Sequence, residues 1–231
     1  MSNVIIMIII GLAAVIAWLE WVKPARTAQP KRWFINGALG LLSLIIPRLL
    51  LAIAPMTAAA WASHANFGLF NIVSVPSLFV AVAVIIIMDF AVYTQHRAFH
   101  ALPWFWRWHR LHHQDQDLDI STGVRFHPVE VLLSMVWKSM CVVALGAPVW
   151  IVPLFEAWLI AGSLFDHGNV KLPLRLEIFL RLFLVTPAMH RVHHSAHYDD
   201  ANHNFCFAIS VWDRLFGTYR AKESGPHIGL A

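Results

Sequence analysis

The chain has 231 residues, of which 58% are hydrophobic and only 13% are charged. A soluble domain carries about 25% charged residues, so this composition excludes an ordinary soluble protein and indicates a surface that mostly faces lipid. The net charge of +4 does not indicate a nucleic-acid partner, because the basic residues lie in loops between apolar runs, where the positive-inside rule explains them.

Four apolar blocks of membrane-spanning character follow one another along the chain. No basic residue precedes the first block and no cleavage pattern follows it, so we interpret it as a retained span and not as a signal peptide. The second block is interrupted at Pro47-Arg48. The fourth is twice the length of one span. The blocks are Val4–Val22, Trp33–Pro55, about Val75–Ala91, and Pro128–Phe165.

The fourth block is predicted to be a helical hairpin. Its Gly146-Ala147-Pro148 sequence is typical of a turn, and Lys138 and Glu156 lie nine residues on either side of Ala147. At about 1.5 Å per residue the two charges reach similar depths. Either charge alone would be costly in hydrocarbon. We therefore hypothesise that Lys138 and Glu156 pair across the hairpin.

Basic residues predict the orientation of these helices. They are found in the Lys23–Arg32 loop, after the third span and after the hairpin, whereas the Met56–Asn71 loop has none. By the positive-inside rule all the basic loops lie on the cytoplasmic face. The residues are Lys23, Arg26, Lys31, Arg32, Arg97, Arg107, Arg110, Arg125, Lys171, Arg175, Arg181 and Arg191.

One membrane-embedded domain is expected over residues 1–231. It has N-terminal spans at 1–91, a first histidine-rich segment at 92–128, the hairpin at 128–165, and an interfacial helix with a second histidine-rich segment at 166–231. Leu172–Val185 is too charged to span a bilayer, and we predict that it lies in the interface. The fold class is all-α: an integral membrane helical bundle with a cytoplasm-facing, histidine-rich metal-binding cap.

Eight histidines form three groups with helical spacing. His96 and His100 are four residues apart, while His109, His112 and His113, like His190, His193 and His194, form HxxHH motifs. Residues three and four apart share a helix face, so each group can direct its imidazoles at one point. Pro103 and Thr186-Pro187 mark helix starts before the two HxxHH motifs.

Crowded imidazoles repel when protonated and are desolvated when neutral, and a metal ion that binds the neutral form removes both problems. One zinc site uses at most four ligands, so eight histidines imply two metals. Imidazole suits iron, copper, nickel and zinc alike, and the ligand type alone does not identify the metal.

Five runs in the expected order resemble the fatty acid hydroxylase/sterol desaturase superfamily of membrane-bound di-iron oxygenases. The resemblance extends from about Asp89 to Tyr219. The runs are DFAVYTQHRAFH (Asp89–His100), HRLHHQDQDLDISTGVRFHPVE (His109–Glu130), HGNVKLP (His167–Pro173), TPAMHRVHHS (Thr186–Ser195) and WDRLFGTY (Trp212–Tyr219).

This resemblance implies two iron ions, O2 as co-substrate, a lipid substrate in the membrane, and the eight clustered histidines as ligands. His167 matches a further ligand position. Some relatives have another histidine where Ser163 stands, and His127 in RFHPVE either replaces that ligand or starts the next helix.

Two residues are expected beside the ligands. Asp89, an acidic residue ending an apolar run two helical turns before His96, is expected as a partner of the ligand imidazoles. Asn204 is expected in the same role. It belongs to the segment NHNFCF, in which Cys206 stands where relatives commonly have glycine.

The expected function is that of a membrane di-iron oxygenase that hydroxylates or desaturates a lipid with O2. The sequence lacks a GxGxxG fingerprint, an iron–sulfur cysteine set and a haem domain, so we expect electrons from a separate donor: a reductase, a ferredoxin or a cytochrome. A sterol or carotenoid desaturase or hydroxylase of the same chemistry is an alternative.

A histidine-rich membrane metal transporter or metal-binding protein is the alternative from another class. Its histidines would line a path across the bilayer. A zinc hydrolase is disfavoured because the HExxH motif is absent, and a bis-histidine haem protein would have histidines near mid-span.

Overall fold

A computed structural model describes residues 3–27, 32–50, 55–222, 224–225 and 227–230. Lys31 of the first basic loop and positions 51–54 of the second apolar block lie outside the described residues. The described part is helical, with one 3₁₀ turn at Thr122–Val124 and three isolated β-bridges. Its helices are α1 (Asn3–Val22), α2 (Arg32–Leu50), α3 (Pro55–His64), α4 (Leu69–Ile72), α5 (Ser77–Ala101), α6 (Pro103–His113), α7 (Pro128–Leu145), α8 (Ile151–Asp166), α9 (Leu174–Leu180), α10 (Pro187–His193), α11 (Tyr198–Ala201) and α12 (Val211–Leu215).

Within the described part of the chain, α1, α5 and α7 are long and apolar enough to cross a membrane. At 1.5 Å per residue, the 25 residues of α5 extend about 37 Å, which exceeds the hydrocarbon core of about 30 Å. The last turns of α5, which carry His96 and His100, therefore extend to one end of the bundle. Large apolar side chains such as Ile8, Phe79 and Leu78 point outward and are mostly exposed, as in a protein surrounded by lipid.

The main apolar core lies between α5, α7 and α8. Val84, Met88, Val142, Ile151 and Phe155 are all almost fully buried there. This packing fixes the long helix α5 against the hairpin formed by α7 and α8, and it positions the histidine-bearing ends of α5 and α8 at the same end of the bundle.

The segment predicted as a hairpin contains α7 and α8, joined by a turn at residues 146–150. Helix α7 ends at Gly146, which has the left-handed conformation (φ 63°) that favours glycine at this position. The predicted ion pair is confirmed, with Lys138 Nζ donating to Glu156 Oε1 at 2.7 Å and to Oε2 at 2.9 Å.

Three local expectations were wrong. Pro47 does not interrupt α2, which continues to Leu50; helices in membranes tolerate proline where local adjustments or neighbouring groups satisfy the backbone carbonyl it leaves free. The segment predicted as the Met56–Asn71 loop contains α3, whose small residues Ala58, Ala59 and Ala62 are buried. The helix predicted over Leu172–Val185 is only the two turns of α9, and the chain then turns so that Val185 N bonds to Ala208 O.

Candidate metal centre

Helices α5 and α6 bring the first two histidine groups together. Leu102 separates the helices, and Pro103 begins α6 at a position where its missing N–H is not needed. His96 and His100 consequently face His109 and His113 across the corner. The ring centroids are 4.8 Å apart for His96–His109, 4.9 Å for His100–His109 and 4.8 Å for His100–His113. Within α6, the centroids of His109 and His113 are 4.9 Å apart.

Helix α10 supplies the third group. Thr186 is its N-cap, as predicted, with its Oγ1 accepting from Met189 N at 3.3 Å, and Pro187 is the first helical residue. The carboxylate of Glu177 in α9 accepts from Thr186 Oγ1 at 2.5 Å. The short helix α10 is therefore anchored at the end opposite to its ligands.

The structure brings nine of the ten predicted ligands into two compact groups. In each group, one possible ligand atom per residue lies within 4.8 Å of all the others. The five-histidine cluster consists of His96, His100, His109, His113 and His193. The four-histidine cluster consists of His112, His167, His190 and His194.

Hydrogen bonds at the outer edge of the five-histidine cluster fix the direction of its lone pairs. His96 Nδ1 lies 2.7 Å from Phe205 O, and His193 Nδ1 lies 2.8 Å from His203 O. A carbonyl oxygen only accepts, so each Nδ1 carries the proton and each Nε2 of the neutral ring has a bare lone pair. Those lone pairs face one another, with 3.1 Å between His193 Nε2 and His96 Nε2.

The four-histidine cluster repeats this arrangement. His112 Nδ1 donates to Arg125 O at 3.1 Å, and His167 Nδ1 donates to Ser163 O at 2.7 Å. The two Nε2 atoms lie 3.0 Å apart with no proton between them. Among the described residues, neither nitrogen of His194 has a hydrogen-bond partner, although its ring is fully buried.

This donor set fits a metal ion in each cluster. Facing lone pairs repel unless a cation lies between them, and buried imidazole nitrogens without partners are costly. With imidazole–metal bonds of about 2.1 Å, two nitrogens at a right angle lie about 3.0 Å apart. The separations of 3.0 to 3.2 Å between Nε2 atoms match that spacing.

Burial also keeps the clusters in the metal-binding protonation state. Desolvation, followed by the proximity of other imidazoles, lowers the pKa of the histidines on α6 and α10 well below the ordinary value of 6.5. These are His109, His112, His113, His190, His193 and His194. Metal ions bind the neutral imidazole, so these side chains are competent ligands at neutral pH.

Two carboxylates beside the clusters were not identified as site residues from the sequence. Glu130 in the first turn of α7 accepts from His109 Nδ1 at 2.7 Å. Asp166, fully buried at the end of α8, has its Oδ1 2.5 Å from His167 Nδ1 and its Oδ2 3.9 Å from His190 Nδ1. The signals were the glutamate of HPVE and the acidic residue directly before His167. A cation bound by the neighbouring rings would favour the ionised form of both carboxyl groups, which would then place negative charge beside it.

The remaining predicted residues lie further from the ligand nitrogens. Asp89 accepts from the indole N–H groups of Trp158 (3.0 Å) and Trp212 (2.9 Å), so it ties α5 to α8 and α12. His127 is the N-cap of α7, where its Nδ1 accepts from Val129 N, and it is not a member of either cluster.

Asn204 acts through its backbone neighbours. It has φ 55°, and its amide nitrogen donates to Met189 O and Arg220 O. The residues on either side, His203 and Phe205, supply the carbonyl groups that orient two histidines of the five-histidine cluster. At the position of Cys206 the turn is held by Asp213, whose carboxylate accepts from both Phe205 N and Cys206 N.

The C-terminal residues cover the clusters on another side. His227–Leu230, which we call the C-terminal strap, bonds to the backbone of two histidine motifs: Gly229 N donates to His194 O and Leu230 N to His113 O. Beside the strap, Arg32 of α2 binds the carboxylates of Asp115 and Asp119, which ties α2 to the loop after α6.

A cavity of about 550 Å³ adjoins the five-histidine cluster and extends between α2, α5, α7 and α8. His96 and His109 line it, whereas no member of the four-histidine cluster is among the described lining residues. Its wall is mostly apolar, with Leu41, Leu44, Val92, Phe99, Val131, Leu159, Ile160, Leu164 and Phe207.

Comparison with known proteins gives a consistent set of relatives. The family model described as fatty acid hydroxylase matches residues 81–218, which include all nine clustered histidines. The chain is 32% identical to the ornithine lipid hydroxylase OlsE of Rhizobium tropici (67% of this chain, 46% of that protein) and 27% identical to human alkylglycerol monooxygenase (62% and 31%). It is 25% identical to cholesterol 25-hydroxylase of Rattus norvegicus (62% and 46%). The chain thus spans less than half the length of these relatives. No solved structure matches.

Proposed function

Because the chain belongs to the fatty acid hydroxylase family, we propose that it is an integral membrane oxidoreductase that hydroxylates a lipid with O2 at a di-iron centre. The observation that carries the proposal is the pair of buried histidine clusters beside an apolar cavity, with His96 and His109 common to the cavity wall and the five-histidine cluster. The relatives named for lipid hydroxylation support the substrate class.

The reaction balances as R–H plus O2, two electrons and two protons, giving R–OH and water. Iron bound by the histidines would supply activation of O2, and an external donor of the reductase, ferredoxin or cytochrome type would supply the electrons. Desaturation would draw on the same reagents, removing two hydrogens from the lipid and giving two water molecules.

The protein's own groups would perform four tasks in this reaction. Carbonyl groups of Phe205, His203, Arg125 and Ser163 hold the imidazoles in the required tautomer. Glu130 and Asp166 supply negative charge next to His109 and His167. The apolar cavity would hold the lipid chain and exclude water from it. Because the described cavity wall includes residues of the five-histidine cluster and none of the four-histidine cluster, the reacting C–H bond would lie at the five-histidine cluster.

We place the metal centre on the cytoplasmic face, as the basic loops favour. A soluble electron donor could then reach it while the lipid enters from the bilayer. A metal transporter has less support, because the nine histidines gather in two groups at one end of the bundle and do not follow a path along its length.

Lipid extracts from cells that express the chain test the proposal. The wild type is expected to produce lipids that have gained one oxygen, and the His193→Ala/His194→Ala variant is expected to produce none. His64→Ala, an exposed histidine of α3, is the matched control. Purified protein is expected to hold two irons per chain. A protein that modifies lipid equally well after its iron is removed would refute the proposal.

A further inference from the structure

The cavity contains an ion pair that has no role in the proposed reaction at the metal centre. Lys138 of α7 and Glu156 of α8 both line it, and they bond to each other at 2.7 and 2.9 Å. Lys138 is buried and Glu156 is half-buried, and a pair withdrawn from water gains little stability over apolar residues of the same size. A charge within a spanning helix such as α7 is usually functional. The pair therefore calls for a functional explanation.

The pair lies well away from the metal clusters along two independent helices. On α7, Glu130, Ser134 and Lys138 are four residues apart, share one face and all line the cavity. The eight residues from Glu130, which bonds to His109, to Lys138 span about 12 Å. On α8, the carbonyl of Ser163 accepts from His167 Nδ1. The seven residues from Ser163 back to Glu156 span about 10 Å.

The wall between the two ends offers little to a polar ligand. Ser134 Oγ donates to Gln95 Oε1 at 3.3 Å, and the neighbouring wall is formed by apolar residues such as Leu159 and Ile160. At the far edge Arg48 is exposed and bonds to Leu44 O of its own helix. A ligand that fills the cavity meets apolar wall over most of its length and polar groups at the pair.

The free hydrogen-bonding capacity of the pair defines the group it can accept. The ammonium of Lys138 has three N–H donors, of which two point to Glu156, and the carboxylate retains unused lone pairs. One hydroxyl group can accept from the remaining N–H and donate to the carboxylate. A carboxylate or an ammonium on the ligand could do only one of these and would unbalance a neutral pair.

We propose that Lys138 and Glu156 bind a hydroxyl group of the substrate and thereby fix which carbon reaches the metal end of the cavity. The substrate would be a long apolar alcohol whose oxidised carbon lies about 10 to 12 Å from that hydroxyl. The inference rests on the proposed function for the oxidation step, whereas binding of the alcohol can be measured without it.

Two measurements on the iron-loaded protein test this assignment, with long-chain primary alcohols of graded length and the alkanes of matching length as probes. Alcohols are expected to raise the thermal unfolding temperature more than the alkanes do. The new hydroxyl is expected at a constant distance from the existing one as the chain is lengthened. Oxidation counted from the methyl end, or equal stabilisation by alcohol and alkane, would overturn the proposal.

Paired variants separate recognition from folding. Lys138→Met with Glu156→Leu replaces the pair by apolar side chains of similar size and leaves no unpaired charge. It is expected to keep its iron, to lose the preference for alcohols at least 10-fold in KM, and to scatter the oxidised positions. Lys138→Glu with Glu156→Lys is expected to restore the preference in part. Met140→Leu, on the outward face of α7, is the control.

The outcomes distinguish the two hypotheses. If the wild type binds alcohols preferentially but oxidises nothing, the proposed function fails and the binding assignment stands. If the apolar double variant oxidises the same carbon with an unchanged KM, the role of the pair is refuted and the proposed function stands.

Discussion

Removal of the Glu130 carboxylate should weaken metal binding by the five-histidine cluster. Glu130 is buried, and its Oε1, at 2.7 Å, is the only hydrogen-bond partner of His109 Nδ1 among the described residues. The other oxygen of Glu130, Oε2, has no partner among these residues. Loss of a partner that orients a ligand histidine typically costs 10- to 100-fold in metal affinity, which corresponds to about 1.4 to 2.7 kcal/mol.

The two replacements of Glu130 should differ in size of effect. Glu130→Gln keeps an oxygen that accepts from His109 and loses only the negative charge, so we expect about 10-fold weaker binding. Glu130→Ala also leaves the imidazole N–H buried without an acceptor, so the loss should approach about 100-fold. Competition with chelators of graded strength, followed by metal analysis, measures both affinities.

His127→Asn is the matched control, because His127 lies three residues before Glu130 and asparagine preserves an N-cap. It should retain the wild-type metal content and change the free energy of unfolding by less than about 1 kcal/mol. If Glu130→Ala bound metal like the wild type, the argument from the His109 contact would be wrong. Loss of metal from His127→Asn would instead place His127 among the ligands.

Two further predictions concern the strap and the effect of pH. Gly229 has φ 77°, and a Cβ there would lie 2.3 Å from Asp115 O. Gly229→Val should therefore displace the C-terminal strap and make chelators remove metal several-fold faster. The control is Gly217→Val, at φ 70° with no atom within 4 Å of a Cβ, which has the same backbone cost of about 1–2 kcal/mol and should not change the rate of metal removal. Because burial lowers the pKa of His112, His190 and His194 below 6.5, the unfolded chain binds protons that the folded chain excludes, so the apoprotein should have its full stability above pH 6.5 and lose it as the pH falls below that value. Urea unfolding across this range measures the effect, and stability that rises on acidification would contradict it.

Helical spacing predicted much of the site because the ligands within each group are local. The pairs four residues apart, His109–His113 on α6 and His190–His194 on α10, each share one helix face and one cluster as the spacing predicts, but the third histidine of each HxxHH motif joins the other cluster, so the expectation that each motif directs all its imidazoles at one point was wrong. The Lys138–Glu156 pair follows from a turn and a depth argument. The spacing could not predict how the ligands of each motif are divided between the two clusters. His112 and His113 are adjacent in sequence but belong to different clusters, because side chains one residue apart on a helix point about 100° away from each other.

Partners of the ligands were harder to predict because they are set by tertiary contacts. Asp89 lies two turns before His96 on α5, and that spacing suggested a direct contact, but indoles from α8 and α12 bind its carboxylate instead. Four of the outer imidazole nitrogens donate to backbone carbonyls, and every residue type has one. No composition or motif marks such a carbonyl as a partner.

Those carbonyl contacts couple metal binding to the fold. The acceptor for His96 is Phe205 O, 109 residues further along the chain, and it stands in a turn that Asn204 and Asp213 hold together. Movement of this turn would remove the acceptors that fix two tautomers: Phe205 O, which binds His96, and His203 O, which binds His193. Both rings belong to the five-histidine cluster, and His96 also lines the cavity. The cluster that faces the cavity is therefore the one whose ligand geometry depends most on distant sequence, and substitutions in the turn should affect the reacting end of the cavity more than the four-histidine cluster.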